Sequence, residues 1–329
     1  MITRRELVNA FASAVLALPL EAMAQTEHPV WRIGFLSPST RPPDGAAPVA
    51  LRKALGELGY VDGKNAIFLG RWADARKELL PVRVAELVAL RPDVVVTFGS
   101  GIEAAALKNA TSSIPIVFTD AGDPVGVGLV ASLSRPGGNV TGISAQATDL
   151  SAKRLELLRR MVPQATRVAV LWNADDLAMT LRFREIERAA SVLHMTIQPV
   201  GVREPNDFDF AFTRMTEQRP DALMMVTDAL TSLNRNRVLE FAEARSIPAL
   251  YEFGSVVRDG GLMSYGPDAD DLLRRAAVYV DHILKGAKPS DLPVEQPTKY
   301  YLSINIRKAK ALGLTISQTL LLQADELVQ

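Results

Sequence analysis

Short, wholly apolar runs recur along the chain, and each leads into a longer stretch whose apolar residues return every three or four positions. Arg32-Ile-Gly-Phe-Leu36 precedes a segment with Leu51, Leu55 and Leu58 on one face. Asp93-Val-Val-Val-Thr-Phe98 precedes Ile102–Lys108, and Ile114–Thr119 precedes Val125–Leu133. A run that is apolar on both faces suits a parallel strand covered by helices on each side; a half-exposed antiparallel strand alternates instead. The pattern predicts an α/β fold in which strands and helices take turns.

The second half of the chain repeats the first. Arg91-Pro-Asp-Val-Val-Val-Thr97 returns as Arg219-Pro-Asp-Ala-Leu-Met-Met-Val-Thr227, and Ser113-Ile-Pro-Ile-Val-Phe118 returns as Ser246-Ile-Pro-Ala-Leu-Tyr251. Trp31-Arg-Ile-Gly-Phe-Leu-Ser37 has its counterpart in Thr166-Arg-Val-Ala-Val-Leu-Trp-Asn173. Three pairs in the same order and at nearly the same offset imply two similar Rossmann-like lobes with parallel sheets. The seam is expected after Val140–Ile143, where Asp149 is positioned to cap a helix carrying Leu150, Leu155 and Leu158.

The first residues follow a different rule. Arg4 and Arg5 precede an apolar run from Ala10 to Leu20, and Ala22-Met-Ala24 supplies small residues where a signal peptidase reads. Residues 1–24 are therefore expected to form a signal peptide cleaved after Ala24, which places the mature protein in the periplasm. An ordinary N-terminal helix is the competing reading, and Arg4-Arg5 leaves general and twin-arginine export both open. The 329 residues are 48 % apolar, and 37 basic side chains balance 37 acidic ones, so no polyanion-binding surface, and no nucleic-acid partner, is expected. With no cysteine, thiol chemistry, thiolate-bound zinc and disulfides are excluded.

Open parallel sheets bind ligands beyond the carboxyl ends of their strands. Those ends fall at Ser37-Pro-Ser39, Gly99-Ser-Gly101 and Asp120–Val125 in the first half, and at Asn173-Ala-Asp175, Thr227-Asp-Ala229 and Glu252-Phe253 in the second. Gly99-Ser100-Gly101 joins a buried strand directly to a helix, where amide groups and a hydroxyl suit a carboxylate, although a plain helix cap reads equally well. Asp123 or Asp228 opposite could take an ammonium, so an amino acid would satisfy both ends. Trp172, Tyr251, Phe253 and Tyr265 stand at or near strand ends, for stacking or for core packing. The candidate ligand contacts are thus Ser37, Ser100, Gly101, Asp120 and Asp123, with Asn173, Asp175, Asp228, Glu252 and Tyr265 from the second half.

Catalytic patterns are missing. His28, His194 and His282 lie apart and outside these loops, and neither a G-x-S-x-G elbow, an H-E-x-x-H motif nor a P-loop occurs. No enzymatic activity, metal or cofactor is expected. Asp268-x-Asp270 has the start of a calcium loop but lacks its glycine and its closing glutamate, so these acids are assigned to a helix's first turn. Gly126-Val-Gly-Leu-Val-Ala131 matches a dinucleotide turn in letters only. Six residues separate it from the preceding strand, and Asp149, at the distance of the ribose-binding acid, opens a helix. Its glycines are expected to let a helix start close to the sheet.

The run Asp123-Pro-Val-Gly-Val-Gly-Leu-Val-Ala-Ser-Leu-Ser-Arg-Pro-Gly-Gly-Asn-Val-Thr-Gly142 resembles a signature of bacterial ABC-transporter substrate-binding proteins of the tryptophan/tyrosine-type group. Gly261-Leu-Met-Ser-Tyr-Gly-Pro267, Leu284-Lys-Gly-Ala-Lys-Pro289, Leu292-Pro-Val-Glu-Gln-Pro297 and Ala309-Lys-Ala-Leu-Gly-Leu314 resemble its C-terminal motifs. The resemblance, from about Trp31 onward, implies the type I periplasmic binding protein fold with a three-strand hinge. It implies lobes of residues 28–145 plus about 264–290, and 146–263 plus about 291–329. It also implies a monomer that closes on a small carboxylated ligand, aromatic or amino-acid-like, and meets an ABC permease. Ligand roles carry over to Ser100, the Asp123-Pro124 loop, Asn173 and Asp228. The chain departs from the pattern at the proline-rich Ser37–Pro43 loop and at Gly101-Ile102, which leaves the ligand's identity open. Two other readings stay open as alternatives: a ligand-binding sensor partner of a membrane kinase, and a nucleotide-dependent dehydrogenase.

Overall fold

A computed structural model describes residues 30–41, 47–145 and 147–329; the expected leader, residues 1–24, lies outside them. Strands β1 (Trp31–Ser37), β2 (Ala66–Trp72), β3 (Val94–Phe98), β4 (Ile116–Ala121) and β5 (Val140–Ser144) form one sheet in the order β2-β1-β3-β4-β5, parallel throughout. Helices α1 (Val49–Glu57), α2 (Leu80–Ala89) and α3 (Ile102–Ala110) cover it. The Val-Val-Val run of β3 serves both faces. Val94 and Val96 pack with Leu51 and Leu55 of α1, while Val95 packs with Leu87 of α2 and Leu107 of α3. This two-sided burial is why the strand reads as continuous and not alternating.

The second lobe is built alike. Strands β6 (Arg167–Asn173), β7 (Thr196–Val202), β8 (Ala222–Met225), β9 (Ala249–Tyr251), β10 (Met263–Gly266), β11 (Tyr301–Asn305) and β12 (Glu326–Val328) pair in the order β12-β11-β10-β9-β8-β6-β7. The helices interleaved with β5 to β10 are α4 (Leu150–Met161), α5 (Leu177–Val192), α6 (Asp207–Gln218), α7 (Ala229–Leu233), α8 (Arg235–Ala244) and α9 (Gly254–Arg258). Then follow α10 (Ala269–Leu284), α11 (Ile306–Ala311) and α12 (Gln318–Gln323).

The repeated words in the sequence are the joints of each half. Arg91 and Arg219 both take a left-handed turn at φ 48°. The acid two residues later then ties two strands together: Asp93 Oδ2 accepts the Arg32 amide at 2.7 Å, and Asp221 Oδ2 accepts the Arg167 amide at 2.8 Å. The repeated Ile-Pro works likewise, since the Val95 and Leu223 amides donate to the Pro115 and Pro248 carbonyls, each at 2.9 Å. These bonds set the register of the central strands.

The chain passes between the sheets after β5, after β10 and before β11. Helix α10 leaves the second sheet and packs on α1 and on β3, β4 and β5 through Leu272, Leu273, Ala276 and Val280. The return segment runs beside β5, where the Ser144 amide donates to the Glu295 carbonyl at 2.8 Å and the Glu295 amide to that of Gly142 at 3.0 Å. Because β11 enters from that side, it runs antiparallel to β10, so the second sheet is parallel except at this edge. With that refinement, the two-lobed α/β architecture implied by the resemblance is present.

Two local expectations are corrected. Residues 125–133 form no helix. The Asp123 carboxylate holds the Gly126 amide at 2.8 Å, and the Pro124 carbonyl takes the amides of Leu129 and Val130, so the segment closes into turns. Proline and glycine prevent its continuation as a helix. Asp149 precedes α4, but its side chain caps nothing among the described residues, and its own backbone is already helical.

Gly142 lies at φ 151°, where a Cβ would stand 2.0 Å from the Phe118 carbonyl oxygen. Substitution by alanine must push β5 from β4 at the first crossover. Gly142→Ala should lose at least about 2 kcal/mol in urea unfolding; an unchanged midpoint would mean that β5 is placed differently.

Candidate functional site

The carboxyl ends of the parallel strands in both sheets meet in one cleft, and two groups of polar residues lie there. In the first, β3 ends at Phe98, Gly101 turns the chain at φ 105°, and α3 begins at Ile102. This places Ser100, which is 3 % exposed, so that its hydroxyl donates across the cleft to Asp176 Oδ2 at 2.5 Å. Asp176 caps α5 with its other oxygen, accepting the Ala178 amide at 2.8 Å. Alongside, Asp228 caps α7 in a reciprocal pair with Thr231 and accepts Asn173 Nδ2 at 2.7 Å. Ser100, Asn173, Asp176 and Asp228 line a cavity of about 90 Å³ with Pro38, Leu80, Ile102 and Leu230. Arg76 and Lys77 also line it, facing the acids of the second lobe. At its rim Asp175 meets Lys77 at 2.5 Å and Arg203 at 3.3 Å, a solvated arrangement worth little energy.

The second group is deeper. Glu252, at the end of β9, is 4 % exposed and divides its carboxylate between two buried guanidiniums. Oε1 accepts Arg154 Nη1 from α4 at 3.1 Å, and Oε2 accepts Arg182 Nη1 from α5 at 2.9 Å. Arg182 Nη1 also reaches the Thr227 carbonyl at 3.3 Å. Its Nε and Nη2, and Nη2 of Arg154, are buried without a hydrogen-bond partner. The free edge of Arg182 faces the first lobe: a Cβ on Gly122 would lie 2.8 Å from Nε and 2.7 Å from Nη2. Burial lowers the pKa of Arg154 from its ordinary value, and Glu252 opposes this.

Asp120 sits in the same space, 7 % exposed, at φ 69°, with no hydrogen bond to its carboxylate among the described residues. Burial, with Glu252 nearby, raises its carboxyl to about 7 against the pull of Arg182 and Arg154. Glu103, in the first turn of α3, is fully buried against Gly99; the amides of Gly101 and its own residue lie near its oxygens, but neither oxygen has a hydrogen-bond partner among the described residues. Desolvation, with Asp176 and Asp120 nearby, raises it to about 8, so it is protonated at neutral pH. Asp228 is raised chiefly by burial.

Of the residues expected from sequence, Ser100, Asn173 and Asp228 share the cavity, while Asp120 and Glu252 share the deeper cluster. Tyr265 enters through its carbonyl, which accepts Arg154 Nε at 2.7 Å; its ring lies 6.0 Å from that of Tyr300. Ser37 is buried, donating to the Phe98 carbonyl at 3.0 Å, and Asp123 is turned onto Gly126. Trp172 stacks on Phe183 at 3.8 Å in the core, and Tyr251 is buried. Arg154, Arg182, Asp176 and Glu103 were not foreseen. Arg154 stands between Leu150 and Leu158 at four-residue spacings, on the buried stripe of α4. A charge on such a stripe signals a paired buried group. Asp268 caps α10 by accepting the Asp271 amide, and no group of three or more metal-ligating side chains occurs among the described residues.

Comparison with known proteins matches residues 46–328 to the family described as ABC transporter substrate binding protein. A tyrosine-binding protein of Clostridioides difficile is 28 % identical over 262 residues, covering 80 % of this chain and 75 % of the relative. A Streptococcus pneumonia ABC domain in complex with L-Trp superposes with a TM-score of 0.82 at 26 % identity, covering 91 % of this chain and 99 % of that one. The ligand-free, open structure of a Clostridium difficile substrate binding protein with adhesive properties superposes with 0.64 at 26 % identity, covering 91 % and 100 %.

Glu103 makes the protein's stability depend on pH. Its raised pKa means that the folded state keeps a proton which the unfolded chain releases near pH 4.5, so stability falls as pH climbs from about 5 to about 8. Glu103→Gln should remove this contribution. In thermal unfolding, the Tm of the variant relative to the parent should rise from pH 5 to pH 8 and then level. A difference independent of pH would show that Glu103 is ionised in the folded protein.

Proposed function

The chain belongs to the ABC transporter substrate-binding protein family, and from that premise we propose that it is the periplasmic receptor of an importer for an aromatic amino acid. The single observation that carries the reading is the free Nε/Nη2 edge of Arg182, buried beside Gly122 of the first lobe with the unpartnered carboxylate of Asp120 close enough to feel its charge. A guanidinium edge binds a carboxylate by two parallel hydrogen bonds. A buried carboxyl that titrates near neutrality is stabilised in its ionised form by an ammonium. An α-amino acid supplies both groups at the separation of one carbon. The cavity of about 90 Å³ lined by Pro38, Leu80, Ile102 and Leu230 is smaller than an aromatic ligand needs, so in this reading it widens to take the ligand's apolar body, with Ser100, Asn173 and Asp228 offering polar contacts at its margin.

The tyrosine-binding relative and the L-Trp complex support this choice of ligand class. The better superposition on the L-Trp complex than on the open, ligand-free relative, at the same identity, supports closure of the lobes as the recognition step. In this reading the lobes comprise residues 28–145 plus about 264–290 and 146–263 plus about 291–329. The leader is removed near Ala24, and the monomer presents its ligand to a membrane permease without chemical change. Asp123 and Asp175 then act outside the ligand contacts, holding a turn and the rim.

Calorimetry with L-tryptophan and L-tyrosine, and with tryptamine and indole-3-propionate as halves of the recognised group, tests the proposal. The amino acids should bind, and each half should bind at least about tenfold more weakly. Arg182→Met should erase the preference for a carboxylate, and Asp120→Asn the preference for an amine. Equal affinity for tryptamine and L-tryptophan would remove Arg182 from the site.

A further inference from the structure

We infer that Arg154 is a positioning residue: by occupying one oxygen of Glu252 it keeps the ligand-facing edge of Arg182 free, and by its other bonds it ties that edge to the hinge. The inference rests on the amino-acid reading of the site above.

A carboxylate beside a lone arginine takes two N–H groups, because the side-by-side geometry is the strongest available. Glu252 does not do this to Arg182. It gives Oε2 to Arg182 Nη1 and Oε1 to Arg154 Nη1, one oxygen to each partner. Arg182 consequently keeps Nε and Nη2 unfilled. If Arg154 were neutral, Oε1 would be left buried without a partner, while the free edge of Arg182, the arginine that Oε2 already touches, stays in need of an acceptor. Glu252 would turn onto it and consume the group that faces the ligand.

The remaining bonds of Arg154 reach the polypeptide that joins the lobes. Its Nη1 donates to the carbonyl of Ala147, in the first crossover, at 2.9 Å. Its Nε donates to the carbonyl of Tyr265, just before the second, at 2.7 Å. Gly266 follows directly, and a Cβ there would meet the Glu252 carbonyl oxygen at 2.2 Å and Arg154 Nη2 at 3.3 Å. One side chain therefore bonds to Glu252, to the first crossover and to the end of β10 from which the second crossover departs. A shift of either crossover moves Arg154, and through Glu252 it moves the edge offered to the ligand.

The absence of cysteine permits clean spin labelling at Lys53→Cys and Glu217→Cys, exposed sites on α1 and α6, one in each lobe. Binding of L-tryptophan, tryptamine and indole-3-propionate is measured for the parent, Arg154→Met, Arg154→Lys and Arg154→Met with Glu252→Gln, each first checked for folding by its unfolding transition. Arg154→Met should weaken L-tryptophan and indole-3-propionate roughly tenfold to a hundredfold, with little change for tryptamine. Adding Glu252→Gln should recover carboxylate affinity, because the competitor for Arg182 has lost its charge. Arg154→Lys retains a cation for Glu252 but not both carbonyl bonds. It should preserve carboxylate preference while broadening the distribution of label distances.

A merely structural Arg154 would weaken all three compounds alike, and the double variant would bind no better than the single one; that result overturns the inference. Failure of the parent to bind any of the three overturns the amino-acid reading instead. The label distances then still decide on the hinge, since an unchanged distribution in both Arg154 variants refutes the tether.

Discussion

Glu252 divided between Arg154 and Arg182 is the interaction on which the rest of the site depends. Three charges buried together are costly unless each is paired and its hydrogen bonds are filled. The protein fills the carboxylate and leaves part of each guanidinium open. The triad carries one net positive charge, which favours an anion over a neutral group; Gly122, which lies against the free Arg182 edge, must yield for one to reach it. Asp120 responds to the same field: burial raises its carboxyl, and the two arginines restrain the rise. In the proposed reading, recognition of opposite charges at neighbouring points follows from the placement of one glutamate at the end of β9.

The lobes around this triad are ordinary consequences of the sequence. Valine runs buried on both faces, and Arg-Pro-Asp and Ile-Pro words repeated in order, made the two sheets and their pseudo-symmetry legible. The margins were less so. β7 buries only part of its residues, and β12 has three, so their apolar patterns are too broken to read. The segment 125–133 had helical spacing, but Pro124 and Gly128 turned it into a closed loop, because bonds to the Asp123 carboxylate and the Pro124 carbonyl replace the helical ladder.

The loops of the cleft were readable as strand ends, yet the decisive arginines come from helices. Apolar periodicity places these helices, and the charged exceptions on the same stripes mark the buried cluster. Arg154 lies between Leu150 and Leu158, Arg182 between Ala178 and Ile186, and Glu103 four residues before Leu107, all on buried faces. Pairing between them could not be read because it depends on where α4 and α5 stand over β9, which no local pattern specifies. Asp176 was missed by one position; the preceding acid, Asp175, points to the rim and its cations instead.

The two levels of polar contact in the cleft also differ in kind. Exposed pairs such as Lys77–Asp175 contribute little energy, whereas in the proposed reading the buried triad supplies selectivity. The most direct measurement is a crystal structure of the protein grown with L-tryptophan. The ligand's carboxylate should lie on Arg182 Nε and Nη2 and its ammonium on Asp120, with Glu252 still divided between the arginines. A ligand bound with its carboxylate away from Arg182, or Glu252 closed onto that arginine alone, would contradict the central claim.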